Sequence, residues 1–311
     1  MTSANPRPEL SVIIVSYNTR ELTLKAIETL YEYASDIPME VVVWDNASSD
    51  GSSDAIAAAF PQVDLVASSD NLGFAAANNR AIERTSGEWV LLLNPDTETQ
   101  EGSIQNLLAF AKAHPKAGIV GGRTVFPDGS LNIASCWNKM TVWSLFCNAT
   151  GLAKVFSGST FFNAEAIGNW KRDSVRKVDI VVGCFLLTSR SLWDELGGFR
   201  EKYFMFGEET DLCMRAAKLG YSLMITPDAQ IVHHVGASYG GSEERIIKVL
   251  KGRITLIRDH WSPLAQPIGI GLIKLRVTVQ LLRQKLGSKG DELAKWRQVW
   301  ARRNEWVEGY Q

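Results

Sequence analysis

Much is missing from this chain, and each absence excludes something. Its 311 residues hold only four cysteines, Cys136, Cys147, Cys184 and Cys213, scattered and with no CxxC pair. That spacing argues against a zinc site and offers no disulfide framework. Reduced thiols in a cytosolic protein fit it best. No run of about 18 apolar residues occurs, so no membrane span is expected. The N-terminal MTSANPRPEL lacks the apolar centre of a signal peptide. Internal repeats and low-complexity segments are absent. No GxGxxG follows the first apolar run, which makes a nicotinamide dinucleotide site a poor reading.

What is present is ordinary in bulk and uneven in detail. Hydrophobic content of 45% and charged content of 22% fit a soluble globular protein. A net charge of -1 excludes a polyanion binder as a whole. From Arg245 to Arg303, however, 14 Lys and Arg face 3 Asp and Glu. That stretch includes IGIGLIKLRVTVQLLRQKLG, apolar but broken by Lys274, Arg276, Arg283 and Lys285, and Trp296, Trp300 and Trp306 follow. Two readings fit: a helix lying on an anionic membrane surface, or basic helices packed on the main domain. No DNA- or RNA-binding motif accompanies the charge, so a nucleic-acid partner is not expected.

The apolar pattern predicts buried strands at Ser11–Ser16, Glu40–Trp44, Val63–Ala67 and Trp89–Leu93. Helical spacing covers Glu21–Ala34, Phe74–Thr85 and Ile104–Ala113. This alternation predicts an α/β fold with a parallel sheet and helices on both faces. Ligands of such sheets bind beyond the carboxyl ends of the strands. Polar clusters sit at all four of those ends: SYN, DNASSDGS, DNLGF and NPDT. Residues 135–175 have no clear period but are rich in aromatics, fitting a sugar platform or a loop core equally. After Gly207, EETDLCMRAAKLG reads as a helix whose first turn carries Glu208, Glu209 and Asp211. Acids there favour the positive end of the helix dipole, and Asp211 and Arg215 are spaced to pair.

SVIIVSYN, WDNASSDGS, NLGFAAANN, WVLLLNPDT, FGEETDLCMRAAKLGY and IVHHVGAS, in this order, resemble glycosyltransferase family 2 and its GT-A fold. The likeness spans about residues 9–240, and the finer pattern is similar to the bacterial rhamnosyltransferase-like branch, which builds cell-surface polysaccharide. It implies a catalytic domain over residues 1–242, with a nucleotide-binding half at about 9–115 and an acceptor half at 116–242. A basic helical extension follows at 243–311. The GxGxRLxPxT signature of sugar-1-phosphate nucleotidyltransferases is missing.

The resemblance also implies chemistry: inverting transfer from a pyrimidine nucleoside diphosphate sugar, first dTDP-rhamnose, to a saccharide or lipid-linked saccharide. UDP-galactofuranose or a UDP-hexose is the alternative donor, and a scaffold without turnover the non-enzymatic alternative. Val15, Tyr17, Asn18, Asp45, Gly73, Asn79 and Asn94 are the implied nucleotide residues. The usual DxD reads Asn94-Pro95-Asp96, leaving Asp96 as the carboxylate for Mg2+ or Mn2+. His233, ahead of His234, would complete that site. Glu209 is the implied general base, then Asp211, then Glu208. Arg200 stands where the common GGFDE has an acid, in a loop expected to border the acceptor. The expected location is cytoplasmic, peripheral on the inner face of the cell membrane.

Overall fold

A computed structural model describes residues 7–234, 243–287 and 290–311. The first half alternates as the apolar runs predict: β1 (Leu10–Ser16), α1 (Arg20–Ala34), β2 (Met39–Asp45), α2 (Ser52–Ala59), β3 (Asp64–Ala67), α3 (Gly73–Ile82) and β4 (Trp89–Leu93). A short β5 (Thr97–Thr99) and α4 (Ser103–Ala113) follow. The second half is less regular: β6 (Ala117–Val125), β7 (Leu131–Asn132), β8 (Cys136–Trp137), α5 (Val142–Thr150), α6 (Leu152–Val155), β9 (Arg176–Val178), β10 (Ile180–Val181), β11 (Phe185–Ser189), α7 (Arg190–Leu196), α8 (Glu208–Lys218) and β12 (Ser222–His233). The chain ends in α9 (Glu243–His260), α10 (Gln266–Gly287), α11 (Asp291–Ala301) and α12 (Arg303–Glu308).

The main sheet runs β3-β2-β1-β4-β11-β6-β12-β5. Its first four strands are parallel, as expected. Beyond them the sheet is mixed, because β11 runs antiparallel to both β4 and β6. Both faces are buried, which is why the strands read as continuous apolar runs. Val12, Ile14 and Leu91 pack under α1 and α4 with Ile27, Leu30 and Leu107. Ile13, Val42 and Leu92 pack against α3, α7 and α8 with Ile82, Trp193 and Leu212. Each such side chain contributes about 1.5–3 kcal/mol by leaving water.

A third core belongs to the last helices. Ile254, Ile257, Ile273, Val277, Val299 and Trp306 pack together, and Leu145 of α5 joins them. Trp306 is fully enclosed and its indole N–H donates to the Val299 carbonyl at 2.8 Å. The inner side of the basic extension is therefore packed on the main body. Its outer side on α10 leaves Ile268, Leu275, Leu282 and Leu286 exposed. No helix among the described residues is long and apolar enough to cross a membrane.

In the segment 135–175 the aromatics pack mainly on one another. Trp143 lies 4.9 Å from the Phe161 ring and donates to the Phe161 carbonyl at 2.9 Å. Phe156 stacks on Phe162. These rings form a partly exposed cluster around α5 and α6, and only Trp137 of the segment's aromatics reaches the cavities described next.

Candidate active site

The strand ends open into a cavity of about 310 Å3, whose walls include Val15, Tyr17, Asn94, Asp96, Glu208, Glu209 and His233. Residues as distant in sequence as Val15, Asn94 and His233 meet here because β1, β4 and β12 end at the same edge. Tyr17 is half out in solvent, as a side chain at a cavity mouth would be.

The other implied nucleotide residues shape the loops around this cavity. Asn18, at φ 52°, accepts from the Ser49 N–H at 2.8 Å, while its own N–H donates to Ser48 Oγ at 2.8 Å. Asp45 is buried, and its two oxygens accept from the hydroxyls of Ser48 and Ser53. It therefore ties down the DNASSDGS turn and does not line the cavity. The next residue, Asn46, does. Its amide donates to Asn71 Oδ1 at 3.0 Å and to the Gly73 carbonyl at 3.2 Å. Its Oδ1 accepts from the Leu72 N–H at 2.8 Å. Gly73 has φ +80°, and a Cβ there would lie 2.3 Å from the Phe204 carbonyl oxygen. Glycine lets the donor-side loop meet the 203–206 loop backbone to backbone. Asn79 stands outside the cavity and braces Phe199, donating to its carbonyl at 2.9 Å and accepting from its N–H at 3.0 Å.

Asp96 and His233 face each other across the cavity floor, Oδ1 to Nε2 at 3.2 Å. The short strand β5 sets this up by pairing Thr97 with His233. His233 Nδ1 is buried without a partner, and such a polar atom calls for one. One carboxylate, one imidazole and an orphaned ring nitrogen suit a divalent ion that accepts mixed O and N ligands, with the rest of its shell left to a ligand. Burial works against the imidazolium, yet Cys184 and Asp96 beside it outweigh burial and push the His233 pKa up to about 10. His234 points the other way along the strand and holds Glu98 at 2.6 Å. The VGAS that follows lies outside the described residues.

FGEETD begins with a turn of two left-handed residues, Phe206 at φ 67° and Gly207 at φ 111°. That turn aims the start of α8 at the cavity and separates its three carboxylates. Glu208 is buried, and one of its oxygens has no hydrogen-bond partner. Burial, then the neighbouring Glu209 charge, raises its pKa well above the ordinary carboxylate range. Glu209 is half-buried and is raised by burial, against the backbone N–H groups that favour its anion. One of those is the Gly207 N–H at 3.3 Å.

Asp211 lies on neither cavity wall. It accepts from Arg215 at 2.7 Å, from His260 at 2.8 Å and from Arg200 at 3.2 Å. Burial opposes its charge, but His260 and the two arginines outweigh burial and hold its pKa low. Arg200, standing where the common motif has an acid, also approaches Asp259 at 3.7 Å. Asp211, Asp259 and His260 lie close enough to ligate an ion. Arg200, Arg215 and Lys202 already supply the countercharge there.

A second cavity of about 390 Å3 adjoins the first, and Trp137, Phe206, Glu209 and Arg245 belong to both walls. Its other walls carry Arg253, Arg276, Asn148 and Glu165. Sequence reasoning counted these arginines only as part of a basic stretch. Nothing in their spacing shows that α9 and α10 turn them toward Glu209.

The mixed sheet with a nucleotide-type parallel half, and a carboxylate pair facing a carboxylate–histidine pair, define a glycosyltransferase architecture of GT-A type. Residues 11–178 match Glycosyl transferase family 2, and the chain belongs to that family. It is 30% identical over 255 residues to the N-acetylglucosaminyl-diphospho-decaprenol L-rhamnosyltransferase of Mycobacterium tuberculosis, covering 74% of this chain and 78% of that one. It is also 27% identical over 214 residues to a low-salt glycan biosynthesis hexosyltransferase of Haloferax volcanii, covering 68% of this chain and 62% of that one. Among solved structures, the mannosyltransferase PcManGT of Pyrobaculum calidifontis in complex with GDP-Man and Mn2+ aligns with TM-score 0.57 and 21% identity, over 97% of this chain and 84% of that one. GalNAc-T7 with UDP, GalNAc and Mn2+ aligns with TM-score 0.60 and 12% identity, over 99% of this chain and 59% of that one.

Proposed function

We propose that this glycosyltransferase moves rhamnose, with inversion, from dTDP-rhamnose to a saccharide joined to a lipid diphosphate. The observation that carries the reading is the position of Glu209 on the wall common to both cavities. A base there can touch an acceptor hydroxyl in one cavity and face a donor sugar in the other. The L-rhamnosyltransferase at 30% identity supports the choice of sugar and of acceptor class.

The acceptor oxygen attacks the anomeric carbon in line with the leaving diphosphate. Its proton passes to Glu209, and the electron pair of the breaking C–O bond leaves on the diphosphate. Burial and the neighbouring Glu209 charge push the Glu208 pKa well up, which favours Glu209 as the anion of the pair. The raised pKa of Glu209 makes it a stronger base than a solvated carboxylate. Asp96 and His233 would hold Mg2+ or Mn2+, which when bound neutralises charge growing on the diphosphate. Val15, Tyr17, Asn46 and Asn94 border the space left for the nucleoside. The exposed leucines of α10, beside Lys274, Arg283 and Lys285, suit a helix resting on an anionic membrane surface.

Titrating dTDP and UDP, each with and without Mn2+, tests the donor side; metal-dependent binding of dTDP is expected. On the chemical side, Glu209→Gln is expected to lower kcat by about 10²–10⁴-fold while nucleotide affinity stays. A Glu209→Gln enzyme with unchanged kcat would remove this residue from the reaction.

A further inference from the structure

We infer that the second cavity is an anion subsite in which Arg276 and Arg253 hold the diphosphate of the acceptor. The inference rests on the proposed transfer reaction for its acceptor and on three local observations for its chemistry.

The first is an excess of positive charge. Three arginines, Arg245, Arg253 and Arg276, line one hollow with two carboxylates, Glu165 and Glu209. Glu165 meets both terminal nitrogens of Arg253 at 2.7 and 3.0 Å, and its charge also acts on Arg276. Asn148 donates to the same Glu165 carboxylate at 3.2 Å and fixes the pair. Arg253 Nε stays buried with no partner. Arg276 forms no hydrogen bond and no ion pair among the described residues. Planar guanidinium groups in this state suit phosphate oxygens, which they bind in bidentate fashion.

The second observation is connection. Glu209 lines the same hollow as the arginines. A sugar whose hydroxyl meets Glu209 therefore has its other end among the guanidinium groups. The L-rhamnosyltransferase relative is named for an acceptor whose sugar is joined directly to a diphosphate, and the proposed reaction takes an acceptor of that class. The third is the surroundings. Asn148 and Arg276 come from α5 and α10, whose outward sides expose Trp143, Phe146, Leu275 and Leu282. A charged hollow beside an apolar face suits a diphosphate attached to a hydrocarbon chain.

Geranyl diphosphate is the probe, with geraniol as the control lacking charge. Calorimetry on the full chain, saturated with dTDP and Mn2+, should still show the probe binding, while geraniol binds far more weakly or not at all. Arg276→Ala should weaken the probe by roughly 10- to 100-fold, the effect of losing a hydrogen bond to a charged group. dTDP affinity should be unchanged. Arg276→Lys should recover part of the loss. Arg253→Gln is the second variant, checked for folding by its melting curve because Arg253 also anchors Glu165.

Three results would overturn the inference. The probe could fail to bind, or be excluded by dTDP, or bind Arg276→Ala as tightly as the native chain. Displacement of the probe by vesicles of anionic phospholipid would assign the arginines to a lipid headgroup instead. Failure of dTDP itself to bind would strike the proposed reaction and not this subsite.

Discussion

Gly252, in the middle of α9, is one point where the last helices touch the turn before Glu209. A Cβ at this position would stand 1.9 Å from the Phe206 carbonyl oxygen and 2.8 Å from its carbon. Real Cβ contacts essentially never fall below 3.0 Å, so Gly252→Ala must drive the two apart by about 1.1 Å or more. The atom in the way is backbone, at a residue already held at φ 67°, so no side chain can swing aside. Phe206 and Glu209 sit on the same cavity walls, so the displacement should reach Glu209, the proposed base. A misplacement of about 1 Å in a reacting group can cost about 10²-fold, and a fall in kcat/KM of that order is expected.

Stability should change far less. Alanine favours the helix over glycine by about 0.8–1 kcal/mol, against about 1–3 kcal/mol for overpacking. Initial rates and melting curves, measured together, separate the two effects. Gly271→Ala on α10 is the control, since nothing lies within 4 Å of its added Cβ; it should gain the helix benefit and keep full activity. If Gly252→Ala matched that control in rate, the contact between α9 and the turn would have no bearing on catalysis.

Glu208→Gln should raise the melting temperature, by more at pH 8 than at pH 5. Its carboxyl has a raised folded pKa, so the native chain loses stability as pH rises from about 4.3 through that raised value, and the amide does not; equal melting curves at both pH values would refute this. Asp211→Asn should destabilise by about 3–5 kcal/mol at neutral pH, the usual result of stripping one partner from a buried ion pair. Its folded pKa is depressed, so the native advantage should fade as pH falls below about 3.9, and chemical denaturation at pH 7 and at acid pH reads both. Leu282→Glu with Leu286→Glu should release the chain from anionic vesicles in a flotation assay; equal flotation of variant and native chain would count against α10 as the contact.

Much of this architecture was legible in the sequence for a simple reason. Strands β1 to β4 are buried on both faces, and only unbroken apolar runs tolerate that. Their polar ends pointed to the site, and Asn94, Asp96 and His233 do gather there. Other features left no trace. Strand β5 is three residues inside a turn-rich stretch, too short for any period. The two serines that bond Asp45 are turn residues with no fixed direction in sequence, so its place beside the cavity could not be read there. The pairing of Asp211 with Arg215 could be read from helical spacing. Its pairing with His260, 49 residues further on, could not. Arg253 and Arg276 were hidden for the same reason, since α9 and α10 must first pack against α5.

The hydroxyl of Tyr310 donates to the carbonyl of Met205 at 2.6 Å, and Met205 is part of the first cavity's wall. That bond has a consequence for the order of events at the ribosome. A chain emerging at about 5–20 residues per second presents FGEETD first. Gly252 and Tyr310 come later, the latter 105 residues behind Met205, or roughly 5–20 s at that pace. For that interval the nucleotide half can fold, since its strands and helices are contiguous. The turn that carries Glu209, however, lacks its contacts with Gly252 and Tyr310 until then. On the proposed mechanism, the chain gains the capacity to bind a donor before it gains the capacity to use one.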